Sequence, residues 1–426
     1  MSDPDSSPLY SAVNRATNYL IDPTPATHSL RAILRQRIEK NGPLCFSEFM
    51  EIALYEPSLG YYARETRQVG RSGDFFTSVS VGPLFGEILA HRFLREWENL
   101  GSPGRWRIIE YGAHDGTLAR DILNTICRFN SSAFNALEYL IPEPLERLQA
   151  AQRDTLVEFV EKTRFASSVS EYFTDPLPGI AFGNELLDAL PFHVIKRRDD
   201  TWYECKVSIH PNGEFTWDNN PSIVDPHLMK AVEFLGNDFP NNYRTEIRTN
   251  FYHFLEPLTR CISRGLFLWA DYGFARPEYY HPGRISGTLQ TYSKHKAAQD
   301  PLMSPGEIDI TAHVDFTAAA LAAIALGCVP AAFISQGAWL TNHAREWLLS
   351  QEGNPDHSAL RQFQTLTHPA HLGSNFHIIE LIWNQPNVEL SVTDAHRLAL
   401  NYDHSGPAFS TQPRFTKRSI TTDLSD

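Results

Sequence analysis

Cationic charge is scarce in this chain, and so is the patterning of sulfur. Against 50 Asp and Glu stand 37 Lys and Arg, which leaves a formal charge of -13 at pH 7 over 426 residues. Binding phosphates or anionic lipid requires clustered cations, so neither a nucleic-acid partner nor a membrane is expected. Lysine is the scarcer cation. Of the 37 cations 29 are Arg, the planar, always-charged type that pairs bidentately with carboxylates. The five cysteines, Cys45, Cys127, Cys205, Cys261 and Cys328, are odd in number and form no C-x-x-C. That speaks against a disulfide framework or a thiolate zinc site and in favour of a reducing compartment. No H-E-x-x-H occurs among the 17 histidines, and no metal is expected. The longest apolar stretch, Ala318 to Leu326, falls well short of the roughly 20 residues that a membrane-spanning helix needs. The first residues, MSDPDSSPLY, carry neither a basic nor an apolar targeting segment, so a cytoplasmic location is expected.

What the chain does have is a core. Hydrophobic residues make up 42% and charged ones 20%, a composition that folds. Residues 1–28, rich in Ser, Pro and Asp, read as a flexible leader. Residues 29–104 read as a helical and glycine-rich loop region. Leu30, Ile33, Leu34 and Ile38 have helical spacing behind Ser29 as a cap, and a second helix follows Cys45 with Ser47 placed to cap it. From Arg105 to about 385 short apolar strands alternate with helices, which predicts a mostly parallel, doubly wound sheet. An insertion over about 193–260 differs in grain. Its alternating apolar residues and the turns Asp199-Asp200 and Asn212-Gly213 predict an antiparallel meander. Residues 275–307 read as a Gly/Pro-rich loop, Asp309 to Gly327 as a helix, and 386–426 as a polar tail.

Chemistry concentrates at the ends of the predicted strands. Glu110-Tyr111-Gly112-Ala113-His114-Asp115-Gly116 joins a strand to a helix, where Gly112 and Gly116 let backbone approach a ligand and the helix start offers free N–H groups. Glu143 ends the next strand about 30 residues further on, where a carboxylate can accept both ribose hydroxyls of an adenosine. A tight turn and a solvated glutamate are the plain alternatives for each piece alone. Together they favour an adenosine-containing cofactor, and a glutamate in place of a phosphate-binding G-x-G-x-x-G leans toward a ligand with positive charge.

These residues, with Gly73-Asp74-Phe75-Phe76-Thr77-Ser78, Phe85-Gly86-Glu87, Asn184-Glu185-Leu186-Leu187-Asp188-Ala189-Leu190-Pro191, Asp271-Tyr272-Gly273 and Asp309-Ile310-Thr311-Ala312-His313-Val314-Asp315-Phe316, resemble the MidA-like family over about residues 31–384. The resemblance implies an S-adenosyl-L-methionine-dependent class I methyltransferase of the Rossmann-like kind: a seven-stranded, mostly parallel sheet whose last strand inserts antiparallel. The family's mitochondrial member acts in respiratory complex I assembly as a protein arginine methyltransferase. One departure stands out. Where the family's first-strand motif carries Pro and a middle Gly, this chain has Ala113 and His114.

The implied roles follow residue by residue. Glu110, Gly112, Gly116, Glu143 and Asn184 are the cofactor-binding candidates. Glu185, Asp188 and Asp74 are the catalytic ones, because a guanidinium substrate needs carboxylates to bind and orient it. His295 and His313 are weaker candidates, more commonly satisfied structural histidines. A protein substrate, arginine above all, is expected, and a homodimer is open. The alternatives are a cofactor-binding assembly factor without turnover and a methyltransferase acting on a small molecule.

Overall fold

A computed structural model of the chain describes residues 29–64, 77–219, 221–236, 238–293, 296–297, 300–353, 355–386, 388 and 390–400. The expected leader, Asp74, His295 and the tail beyond residue 400 lie outside the described residues.

Seven strands form one continuous path: β1 (Trp106–Tyr111), β2 (Leu137–Pro142), β3 (Thr163–Ala166), β4 (Leu177–Asn184), β5 (Ile262–Phe274), β6 (Val329–Ser335) and β7 (Phe376–Trp383). Their spatial order is β6-β7-β5-β4-β1-β2-β3. The strands from β3 to β5 run parallel, and β7 lies antiparallel between β5 and β6, as the resemblance implies. The short strand Val314–Asp315 pairs with the end of β5 and makes the sheet eight-stranded rather than seven-stranded.

The sheet buries both faces, and the sequence of β1 shows how. All six of its residues are buried, as in a parallel strand covered by helices on each side. Ile108 joins Phe85, Phe93 and Ile122, from the helices Leu84–Asn99 and Thr117–Phe129. Ile109 points the other way, to the cluster holding Phe254 and Leu258 of Phe251–Cys261 and Ala319 of Phe316–Ala325. One charge cluster is buried beside the first of these layers. Arg92 donates to Glu380 and Glu96 at 2.9 Å each, and Trp339 Nε1 donates to Glu380 at 2.9 Å, which ties two helices of that layer, Leu84–Asn99 and Gln336–His343, to β7. The three strands β1, β4 and β5 meet closely at the row Arg107–Gly179–Gly265. A Cβ on Gly179 would overlap the carbonyl oxygen of Arg107, and one on Gly265 that of Gly179.

Between β4 and β5 the expected meander is present as His193–Arg198, Thr201–Ile209 and Phe215–Asp218, extended by Leu44–Cys45 on one side and Arg244–Ile247 on the other. The two N-terminal helices, Leu30–Asn41 and Phe46–Tyr55, pack on it through Leu34, Ile38, Phe46 and Phe49 against Val194, Cys205 and Val207. Ser29 caps the first helix as read, accepting from the Ala32 N–H at 3.2 Å. Ser47 does not cap the second. Cys45 occupies the cap position, and the Ser47 hydroxyl sits 3.1 Å from its sulfur instead.

Two further expectations are corrected, and two short elements had not been expected. The helix read from Asp309 starts at Phe316, because the Asp315 carboxylate caps the Ala318 N–H, and Asp309–Thr311 is a strand paired with Gln290–Ser293. The segment 275–307 is therefore not all loop; it holds that strand and the helix Arg276–Tyr279. The strand β3 and the helix Ser131–Ala136, at four and six residues, are too short to show a period.

Gly179→Ala is expected to lower the unfolding free energy by about 3 kcal/mol, the upper end of ordinary overpacking, because the obstacle is backbone and cannot rotate away. Urea denaturation measures it. A loss below about 1 kcal/mol would show that the row of glycines is not what sets the strand spacing.

Candidate active site

The carboxyl ends of the parallel strands carry the predicted residues, at the position where open α/β sheets bind ligands. Tyr111 of β1 lies beside Gly183 of β4, which lies beside Trp269 of β5, so β1 and β4 finish nearly level while β5 runs on to Phe274. After β1 the chain turns through left-handed backbone at Gly112 (φ 70°), His114 (φ 48°) and Gly116 (φ 83°) before the helix Thr117–Phe129. A Cβ on Gly112 would sit 3.2 Å from the Leu186 side chain. His114 thus adopts the left-handed conformation that a glycine takes easily. Its carbonyl is held by Gln152 Nε2 at 2.9 Å, and its ring lies 3.7 Å from Asp115, at the helix start. Burial raises the Asp115 carboxyl, but hydrogen bonds from His114 and the Thr117 N–H outweigh that and bring it down to about 2. Ala113 packs into the core.

Glu110 is 2% exposed and lies under this turn, where Tyr139 Oη donates to it at 2.5 Å. Burial pushes it up to about 8 although the Tyr139 bond pulls the other way. Glu143 follows β2. Its carboxylate accepts from the Leu145 N–H at 2.9 Å and from Gln152 at 3.4 Å, and burial pushes it up to about 7.

Past β4 the backbone turns at Glu185, also left-handed (φ 53°) and here on a non-glycine residue. Its half-buried carboxylate accepts from Tyr272 Oη at 2.9 Å, Asn184 Nδ2 at 2.9 Å and the Ser78 N–H at 3.3 Å. Burial, and then the neighbouring Asp188, push it up to about 7 against these bonds. Asp188 is 4% exposed and lies behind the turn, where burial and the charges of Asp271 and Asp309 hold it well above the usual range. Glu110, Gly112, Gly116, Glu143, Asn184 and Glu185 are therefore brought to one edge, and Asp188 is set beneath it. His313, flanked by the rings of Tyr272 and Phe274, is pushed down to about 4 by burial and the charges of Arg284 and Arg248.

Several residues of the site had no sequence signal. Gln152 is fully buried, ties Glu143 to the His114 carbonyl, and keeps its Oε1 unpaired. Asn184 Oδ1 is likewise buried without a partner. Among the described residues no Lys or Arg bridges Glu110, Glu143 or Glu185. Unpaired acceptors and raised carboxyls at one edge suit a ligand with hydroxyls and positive charge, which S-adenosyl-L-methionine supplies through its ribose and its ammonium and sulfonium groups.

The comparison with known proteins decides the family. Residues 88–334 match the model of a family described as S-adenosyl-L-methionine-dependent methyltransferases. The chain belongs to that family. A crystal structure from Burkholderia thailandensis bound to S-adenosylhomocysteine is 28% identical to the methyltransferase, with a TM-score of 0.75, covering 89% of this chain and 95% of that one. A native structure from the same organism is 27% identical with a TM-score of 0.72, covering 95% and 97%. Among curated relatives, the mitochondrial protein arginine methyltransferase NDUFAF7 homolog of Drosophila melanogaster is 29% identical, covering 83% of this chain and 84% of its own length. NDUFAF7 of Homo sapiens, also named as mitochondrial, is 28% identical and covers 85% of each. These names overturn the cytoplasmic expectation. Unpatterned cysteines speak for a reducing environment and do not say which compartment provides it. The methyltransferase uses S-adenosyl-L-methionine, and no described helix is long and apolar enough to cross a membrane.

The raised carboxyls set a pH dependence. In the unfolded chain Glu releases its proton near about 4.3, whereas Glu143 and Glu185 hold theirs to about 7 and Glu110 to about 8. The folded form then binds more protons, so its stability falls as pH rises toward these values. Unfolded histidine is still about half charged at about pH 6.5, so His313 and His343, held neutral by burial, add an opposing slope that fades by about pH 7.5 and that the three carboxyls together outweigh. The cofactor-free protein is expected to melt at lower temperature at pH 8 than at pH 6.5, with a shallower fall in Glu185→Gln and in the presence of S-adenosylhomocysteine. Equal slopes for all three would contradict the assignment.

Proposed function

We propose that this methyltransferase modifies arginine side chains of a protein, with Glu185 as the carboxylate that receives the guanidinium. The relatives' names support the substrate class. The observation that carries the reading is Glu185 itself. It is a half-buried carboxylate at the strand-end cleft, fixed in a left-handed turn, surrounded by neutral donors and lacking a cation among the described residues.

When bound, the cofactor supplies an electrophilic methyl group. Gly112 and Gly116 give its amino-acid end room beside the backbone, Glu143 takes the ribose hydroxyls, Asn184 offers its unpaired carbonyl, and a cation above the turn would favour the ionised form of Glu110 beneath it. The protein's task is then positioning and electrostatics. A guanidinium arrives protonated, with a pKa above about 12, and must lose a proton as a nitrogen gains the methyl group. Glu185, raised toward neutrality, is placed to orient that nitrogen and take the proton. Tyr272, Asn184 and Ser78 occupy three of a carboxylate's roughly four acceptor positions, so Glu185 makes one direct bond to the substrate. A second anchor is required, and Asp74 remains the candidate for it. Asp188, buried behind the turn, raises the basicity of Glu185 instead of touching substrate.

Two variants separate the roles. Glu143→Ala is expected to weaken S-adenosylhomocysteine binding by about 2 kcal/mol, roughly thirtyfold, in calorimetry. Glu185→Gln should keep that affinity and lower turnover on arginine-containing protein on the order of a hundredfold. If the intact protein does not bind S-adenosylhomocysteine, the cofactor roles fail. If it binds and the methylated-arginine pattern of a deletion strain is unchanged by mass spectrometry, the arginine reading fails.

A further inference from the structure

Away from the strand-end carboxylates, three donors of different chemistry meet on one face of the meander. Cys45 ends the strand Leu44–Cys45, Glu204 lies on the neighbouring strand Thr201–Ile209, and His193 begins the next, His193–Arg198. Along Thr201–Ile209 the residues Cys205 and Val207 face the apolar core with Val194 and Phe46, so by strand alternation Glu204 and Lys206 face the other way. One donor atom from each of Cys45, His193 and Glu204 lies within 4.8 Å of the other two. His193 Nδ1 is 2.9 Å from Glu204 Oε1. The Ser47 hydroxyl stands 3.1 Å from the Cys45 sulfur and 3.5 Å from His193 Nε2.

We propose that Cys45, His193 and Glu204 form a binding site for a divalent ion of the zinc class. The donor set is one thiol, one imidazole and one carboxylate, the ligand types zinc combines, and three protein ligands leave a fourth position for water or the Ser47 hydroxyl. With nitrogen and oxygen bonded at about 2 Å, a tetrahedral ion needs those atoms about 3.3 Å apart, so the observed 2.9 Å pair opens only slightly. Charge agrees. A thiolate and a carboxylate balance a divalent ion, and Lys206, 3.7 Å from Oε2 of Glu204, leaves Oε1 to the metal. Access agrees as well, since Glu204 is 2% exposed and anchored while Cys45 and His193 are half-buried. Such an ion would clamp three strands at the start of Phe46–Tyr55, the helix whose Tyr55 Oη holds the Ala189 carbonyl at 2.8 Å in the turn after Glu185. Spacing rules miss the set because its members stand at 45, 193 and 204 and are joined only by sheet pairing.

The test uses the full chain stripped with a chelator and titrated with Co²⁺ as a zinc surrogate. One equivalent is expected to bind with a thiolate-to-cobalt charge-transfer absorption, to be displaced by Zn²⁺, and to raise the melting temperature. Cys45→Ser should abolish the absorption, whereas Cys127→Ser, at an exposed thiol elsewhere, should leave it intact. Glu204→Gln should weaken cobalt affinity about tenfold or more. Absence of stoichiometric binding, or the same absorption in a folded Cys45→Ser protein, overturns the site. If Cys45→Ser does not fold, unchanged affinity in Glu204→Gln overturns it.

Discussion

Asp271, a fully buried carboxylate at the end of β5, gathers the backbone N–H groups of Leu186, Leu187 and Asp188 onto one oxygen at 2.7 to 3.1 Å, and its other oxygen takes the Tyr272 N–H. Backbone dipoles replace a countercharge. This ties the turn after β4 to the adjacent strand and leaves the chain no relaxed route past Glu185, which is why a non-glycine residue stays in left-handed backbone there. Arg248 closes the other side. It donates to the carbonyls of Asp188, Leu190, Ala312 and His313, so the meander, the turn and the segment before Val314–Asp315 are held by one guanidinium. Asp271 collects the N–H groups of the turn and Arg248 its carbonyls.

The position of Glu185 follows from that turn, and its electrostatics follow from the position. A carboxylate taken out of water by burial costs more to ionise, and the shift upward at Glu110, Glu143 and Glu185 is that cost, increased by neighbouring acids at Glu110 and Glu185. A fold spends stability this way where a cation completes the arrangement. The charge of -13 counts every carboxylate as ionised, whereas the strand-end carboxyls hold protons near neutral pH and would give them up where a sulfonium, an ammonium or a guanidinium arrives.

The strands and helices long enough to show a period were legible in the sequence, because burial on both faces of β1 and β7 or on one face of Leu84–Asn99 leaves a repeated mark. Glycines and acids at the ends of β1, β2 and β4 were legible because a turn followed by a helix start has few sequence solutions. What was hidden depends on distance along the chain. Gln152 reaches Glu143 and His114 from the far end of a helix, Tyr139 reaches Glu110 across a strand pair, and Arg248 acts on residues 58 to 65 positions away. Asp188 looked equivalent to Glu185 in sequence. The backbone reverses between them, so one faces the cleft edge and the other the buried side.

The substitution of Ala113 and His114 for Pro and Gly can be judged on the same terms. A glycine in that loop serves two ends, a left-handed backbone and space for a ligand. His114 meets the first directly at φ 48°, stabilised by the Gln152 bond to its carbonyl, and its ring leans toward Asp115. Ala113 turns into the core and takes no room from the cleft. Gly112 and Gly116, on either side, are both glycines in left-handed backbone, where a Cβ would meet Leu186 at 3.2 Å and Gln152 or Leu156 at 3.4 Å. At this position the histidine therefore holds the left-handed turn through two neighbours, Gln152 at its carbonyl and Asp115 beside its ring.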